Sequence, residues 1–128
     1  MMKRLLIATA VIEVLAGVAL TCQPATAVEL LIGAKTESVS AIGRVAGSAL
    51  LALGVANWLA RLDDQSLCAR GLVIAMVVYN LSAVFILASV GLQSTQSQPV
   101  GPILWPAVLL HTVMSAWCGI SLMIEPKK

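Results

Sequence analysis

The sequence predicts an all-α fold, a four-helix transmembrane bundle with up-down antiparallel topology. Hydrophobic residues make up 59% of the 128 residues and charged residues only 11%, too few to cover the surface of a small water-soluble domain. Four apolar stretches each approach the roughly 20 residues that cross a hydrocarbon core. The connections between them are short, which favours antiparallel packing of neighbouring helices. The stretches do not alternate polar and apolar residues, so a membrane β-barrel is a poor alternative.

The same composition excludes two other classes of protein. An intrinsically disordered chain needs low hydrophobicity and high charge, which this chain lacks. A nucleic-acid-binding protein needs a basic face, and here the formal net charge is only +2, with no basic cluster along one face. We therefore expect the lipid bilayer, and no nucleic acid, as a partner.

A single integral membrane domain is predicted to cover residues 1–128. Its four spans are expected at about residues 4–23, 39–62, 69–92 and 102–124. The residues between them are polar or turn-forming, as at Gln23-Pro24 and Asp63–Ser66. The apolar segment Val28–Gly33 is too short to span a bilayer, and we predict that it forms an interfacial helical turn or a lid on the bundle.

Lysine and arginine residues are distributed unequally between the two sides of the predicted bundle, which sets its orientation. One side carries six of them: Lys3, Arg4, Arg61, Arg70, Lys127 and Lys128. The other side carries Lys35 and Arg44. Because positively charged loops stay in the cytoplasm, we expect a multi-pass membrane protein with both termini cytoplasmic.

The N-terminal segment has a second interpretation that the residues leave open. Met1–Ala27 also has the layout of a secretory signal peptide, with a basic start, an apolar stretch and an Ala25-Thr26-Ala27 cleavage pattern. Retention as the first span is favoured, because the apolar stretch is long and Glu13 lies in its middle. Cleavage would leave three helices in the same orientation.

The residues contain no recognisable catalytic or metal-binding motif. Cys22, Cys68 and Cys118 fall at three different depths of the predicted bundle, so a disulfide is not expected. His111 is the only histidine, and the common nucleotide-binding, zinc-protease and hydrolase motifs are missing. We therefore expect no catalytic or metal site, and the sequence indicates no particular cofactor.

Small residues recur at helical spacing and predict where the helices touch. Lipid tails do not drive apolar helices together, so membrane helices pack through small side chains that allow close approach. The predicted packing residues are Gly17, Gly43, Gly47, Gly54, Ser115 and Gly119. The Gly43/Gly47 pair is also a candidate contact between copies of the chain in a homo-oligomer.

Polar residues on the same faces predict a cluster inside the bundle. Glu13 and His111 lie on the small-residue stripes of the first and last spans, as an ionisable group must to avoid lipid. Counting about 1.5 Å of rise per residue from the flanking charges brings Glu13 and Asn80 close to the midplane. The predicted intramembrane cluster, a candidate ligand-binding site, is Glu13, Arg44, Tyr79, Asn80 and His111. A purely structural role that holds the helices in register is the alternative.

Several sequence blocks read like the motifs of a family. They are Gln23-Pro24, Gly43-Arg44-x-x-Gly47, the run from Gly54 to Arg61, Ala69-Arg70-Gly71 with Tyr79-Asn80, and Trp105-Pro106 with Leu110-His111. In this layout the chain resembles the small four-span DoxX-like bacterial membrane proteins. The resemblance implies the four-helix architecture over the whole chain. Some DoxX-like proteins are linked to membrane quinone or redox chemistry, and no residue role is transferred from them.

These observations favour a binding role over catalysis. We expect a bacterial inner-membrane protein that binds a small or lipophilic molecule in the bundle core or assists a membrane complex. One alternative is a proton-coupled small-solute transporter subunit that acts as a homo-oligomer. A second alternative is a quinone- or lipid-linked redox accessory or enzyme, in which Glu13 and His111 would act as acid and base.

Overall fold

The described part of the chain is mostly helical. The computed structural model describes residues 1–33, 39–95 and 99–124, so the predicted positions of Lys35, Lys127 and Lys128 lie outside the described residues. Five helices occur in these ranges, and no β-strand does: α1 (Met2–Cys22), α2 (Pro24–Ile32), α3 (Val39–Ala60), α4 (Leu67–Leu92) and α5 (Leu104–Ile124). The all-α prediction is confirmed.

Four of these helices, α1, α3, α4 and α5, are long and apolar enough to cross a membrane. Only 17–33% of the residues in the most apolar window of each are buried. An apolar helix with so few buried side chains would be insoluble in water, but it suits a bilayer. The chain is therefore a multi-pass membrane protein built as a helical bundle.

Helix α2 is longer than the short segment expected from the sequence. Pro24 stands in its first turn, where the missing N–H costs no hydrogen bond. Helix α2 is capped at its C-terminal end by Gly33, whose φ of 74° is the left-handed conformation that suits glycine. The Leu30 carbonyl, near the C-terminal end of α2, accepts the Ile103 N–H at 3.1 Å. That bond ties α2 to the residues just before α5.

Helices α1 and α3 pack antiparallel through a seam of small residues. A Cβ atom on Gly17 would lie 2.8 Å from the Gly47 carbonyl oxygen, so the two backbones touch. Gly54 lies against Val14, and Gly43 lies against Pro24 at the start of α2. The Gly43/Gly47 face is therefore covered by the chain itself, and the prediction that it contacts a second copy is wrong.

The packing role predicted for Gly119 is also wrong. A Cβ atom there would meet no atom within 4 Å in the described residues, whereas Ser115 is buried as predicted. The buried face of α5 runs through Met114, Ser115, Cys118 and Ser121. Residues four apart on a helix of 3.6 residues per turn are rotated by about 40° relative to one another. The series His111, Ser115 and Gly119 therefore turns gradually around α5, and Gly119 lies off the buried face.

One end of the bundle is filled by apolar side chains. Helix α4 begins there, and the Ser66 hydroxyl caps it by accepting the Ala69 N–H at 3.1 Å. We call this region the packed end, and its buried members are Met2, Leu5, Leu6, Ala69, Val73, Met76, Met114 and Cys118. All three cysteines are free, with Cys22 and Cys68 exposed and Cys118 buried.

Candidate functional site

A buried carboxylate and a buried amide connect α1 to α3. Glu13 is only 4% exposed and Asn57 is fully buried. The Asn57 Nδ2 group donates to Glu13 Oε2 at 2.8 Å, to the Leu53 carbonyl at 3.0 Å and to Met76 Sδ at 3.6 Å. Because all three partners are acceptors, the orientation of the amide is determined and its oxygen points away from them.

A second polar pair connects α4 to α5. The Asn80 Nδ2 group donates to the Met76 carbonyl at 2.7 Å, so its Oδ1 is the atom that lies 2.8 Å from His111 Nδ1. An amide oxygen only accepts, so Nδ1 carries the hydrogen and Nε2 of the neutral ring is left as an acceptor. The Tyr79 ring meets the imidazole edge-on, with 5.7 Å between ring centroids.

These two pairs form one layer across the bundle. Met76 lies between them, because its sulfur accepts from Asn57 and its carbonyl accepts from Asn80. We call Glu13, Asn57, Asn80 and His111 the polar tier. Each of the four spanning helices contributes one residue to it.

A cavity of about 270 Å³ lies beside the polar tier. All five helices or their immediate flanks contribute to its wall, and most lining residues are apolar. Ala27 and Leu31 belong to α2, so this short helix forms the part of the wall that the sequence predicted as a lid. The polar lining residues are Thr9, Glu13, Tyr79, Asn80 and His111. The site is therefore an apolar chamber with a few polar groups.

Some polar atoms at this site have no hydrogen-bond partner within the described residues. They are Glu13 Oε1, Thr9 Oγ1 and Asn57 Oδ1, and all three are buried. Leaving such an atom unpaired costs about 1–3 kcal/mol, and native structures contain few of them. Two of the three, Glu13 Oε1 and Thr9 Oγ1, belong to residues that line the cavity.

The cavity reaches the surface of the bundle on one side. Three of its lining residues are exposed: Ala19 on α1, Ile103 just before α5 and Leu110 on α5. Ile103 and Leu110 are 43% and 40% exposed. These exposed residues lie on α1 and on or just before α5, which places the opening between these two helices.

Four of the five residues in the predicted cluster meet at this cavity, and Arg44 does not. Glu13, Tyr79, Asn80 and His111 all line the cavity, whereas Arg44 is exposed. Arg44 follows Gly43, so it points about 100° away from the buried face of α3. A long cationic side chain near a helix end can extend to the membrane surface, which is consistent with the exposure of Arg44.

Asn57 is the polar-tier residue that the sequence interpretation missed. The buried residues of α3 are Gly43, Gly47, Leu50, Gly54 and Asn57, with spacings that alternate between four and three. That alternation keeps to one face of a helix better than a strict four-residue step. Following it from the glycines would have led to Asn57.

No cluster of three or more metal-ligating side chains occurs among the residues that the structure describes. A comparison of the chain with protein families, curated proteins and solved structures found no match. The DoxX-like resemblance therefore stays a prediction.

Proposed function

We propose that this protein binds a small lipophilic molecule in the cavity beside the polar tier. The observation that carries the proposal is the chamber itself, an apolar space of about 270 Å³ with Glu13, Tyr79 and His111 in its wall. Apolar walls with a few convergent polar groups are typical of small-molecule sites, because the apolar surface supplies affinity and the polar groups supply orientation.

The volume limits the size of the ligand. A protein cavity of about 150 Å³ lined by apolar side chains holds benzene. A chamber of about 270 Å³ therefore suits a molecule with on the order of ten non-hydrogen atoms. A whole phospholipid is too large for it, although one end of a longer lipophilic molecule would fit if the rest lay between α1 and α5.

The shape of the chamber favours binding over transport by a single copy. The packed end fills the other half of the bundle with buried side chains such as Leu5, Val73 and Cys118. A solute that entered between α1 and α5 would meet this filled region before the opposite membrane face. The side opening also favours a ligand that arrives from the bilayer.

Binding of fluorobenzene, followed by 19F NMR in detergent micelles, tests this proposal. Ala107 lines the cavity, and Ala107→Leu fills part of the space. Ala116 is exposed on the same helix, so Ala116→Leu adds the same atoms outside the cavity. We expect a saturable signal from bound fluorobenzene in the wild type and in Ala116→Leu. We expect no such signal in Ala107→Leu. Equal signals in all three proteins would mean that the probe is only dissolved in the micelle, and the proposal would fail.

We further propose that the protein lies in a bacterial inner membrane with its N-terminus in the cytoplasm. Lys3, Arg4, Arg61 and Arg70 flank the ends of α1, α3 and α4 that meet at the packed end, which supports this orientation. Cys22 and Cys68 are exposed near opposite ends of the bundle. In single-cysteine variants, an impermeant maleimide should label Cys22 in intact spheroplasts and Cys68 only after lysis, with buried Cys118 as the unlabelled control. The reverse pattern would invert the topology.

A further inference from the structure

We infer that the ligand of this cavity is a lipophilic amine, bound as an ammonium ion by Glu13 and Thr9. The inference rests on the proposed binding function and adds the chemical class of the ligand. Three observations carry it: the unpaired atoms of the site, their spacing on α1, and the charges around the cavity.

The polar atoms left unpaired at the site are mainly acceptors. Glu13 Oε1 is buried without a hydrogen-bond partner in the described chain, and its other oxygen is held by Asn57. His111 donates through Nδ1 to Asn80, which leaves Nε2 as an acceptor. The hydroxyls of Thr9 and Tyr79 both donate and accept. A ligand that completes these hydrogen bonds must therefore bring hydrogen atoms of its own.

Two of these groups lie one helical turn apart on the same face of α1. Thr9 and Glu13 are four residues apart, a spacing that makes side chains neighbours on a helix. Both are at least nine-tenths buried, and both have an unpaired oxygen. A primary ammonium has three N–H donors and can bond to both oxygens at once. An alcohol has one hydrogen to donate and a quinone has none.

The charges around the cavity favour a cationic ligand. Its wall, in the residues that the structure describes, contains Glu13 and His111 but no lysine or arginine. Arg44, the cation expected beside Glu13, is exposed outside the cavity. An ammonium would supply the missing opposite charge in a low-dielectric site, where attraction between opposite charges is stronger than in water. Charge-assisted hydrogen bonds are also roughly twice as strong as neutral ones.

Two rigid probes of nearly the same shape, 1-aminoadamantane and 1-adamantanol, test the inference. Their affinities for the purified full-length protein are compared by isothermal titration in detergent, with Ala107→Leu as the measure of partition into micelles. We expect the amine to bind about tenfold more tightly than the alcohol, because only the ammonium brings a positive charge to Glu13 and can donate to Glu13 and Thr9 at once.

The variant Glu13→Gln tests whether the Glu13 carboxylate causes the tighter binding of the amine than of the alcohol. Its amide oxygen can still accept the Asn57 N–H, so the shape of the site is kept while the carboxylate is lost. We expect this variant to bind both probes with the affinity that the wild type has for the alcohol. Alcohol binding by Glu13→Gln then shows that its cavity is intact. If the variant does not fold, the ratio of the two affinities in the wild type decides the question.

The outcomes separate this inference from the function on which it rests. Equal affinities of the wild type for the amine and the alcohol would overturn the amine assignment and leave the binding function standing. Tighter binding of the alcohol would do the same. Loss of fluorobenzene, amine and alcohol binding together would overturn the binding function itself.

Discussion

The two faces of α1 show contrasting ways in which a membrane helix meets its neighbours. On one face Gly17 touches the backbone of α3, so close that a Cβ atom would lie 2.8 Å from the Gly47 oxygen. On the other face Ile12 and Ala16 line an open space of about 270 Å³, and Glu13 lies between the two faces, held by Asn57 of α3. One helix is thus packed on one side and faces a chamber on the other.

The difference follows from what holds helices together in lipid. Lipid tails are as apolar as leucine, so no hydrophobic force closes gaps between spans. Contact forms where glycines let the backbones approach, as along the α1–α3 seam. Where polar side chains such as Glu13 and His111 turn inward, the packing stays open enough to leave a cavity. Three substitutions test this difference between the two faces of α1, taken in order of decreasing expected change in stability.

The largest change in the free energy of unfolding is expected from Gly17→Ala, on the seam between α1 and α3. The added Cβ would lie 2.8 Å from the Gly47 carbonyl oxygen and 2.9 Å from the Leu51 nitrogen, so two backbones must move apart. Overpacking of this kind costs about 2 kcal/mol. Unfolding in mixed SDS micelles should report that loss. The matched control is Gly71→Ala, whose Cβ meets open space. Its free energy of unfolding should rise by about 1 kcal/mol, because alanine has a higher helix propensity than glycine.

A loss of stability in Gly71→Ala as large as that in Gly17→Ala would contradict this interpretation. It would mean that each substitution acts through the conformation of its own helix, and that close contact between the α1 and α3 backbones does not explain the loss in Gly17→Ala.

The next effect, opposite in sign, is expected one residue away. Ala16 lines the cavity, and Ala16→Leu should fill part of it without moving the backbone. Filling a cavity commonly adds about 1 kcal/mol to the free energy of unfolding. The same SDS titration measures it, and fluorobenzene binding should weaken in parallel. Destabilisation by Ala16→Leu would show that this face of α1 is as closely packed as the seam.

The smallest effect is expected at Thr9, whose buried hydroxyl has no partner in the described residues. Thr9→Val has nearly the same shape and removes the unpaired oxygen. Removing an unsatisfied buried polar atom relieves its desolvation cost, so the free energy of unfolding should rise, by up to about 1 kcal/mol. A destabilisation above about 1 kcal/mol would indicate that the hydroxyl forms a hydrogen bond in the apo protein.

Much of the site could be predicted from single residues. Glu13 and His111 had to face inward, because an ionisable group is costly in hydrocarbon, and both line the cavity. The expectation that an ionisable group faces inward fails for Arg44, because a long cationic side chain near a helix end can reach water without entering the core. Asn57 was missed because a strict four-residue step from Gly43 and Gly47 does not reach it, whereas the buried face of α3 alternates steps of four and three.

The amino-acid sequence was enough to predict the four spans and the inward position of Glu13 on α1 and His111 on α5. Both follow from the free energy of placing apolar and polar groups in lipid, which depends on local sequence. Only the tertiary structure decided that Asn57 holds Glu13, that α2 forms part of the cavity wall, and that the Gly43/Gly47 face meets its own chain. These depend on the relative rotation and spacing of helices far apart in sequence, where small differences in packing decide the arrangement.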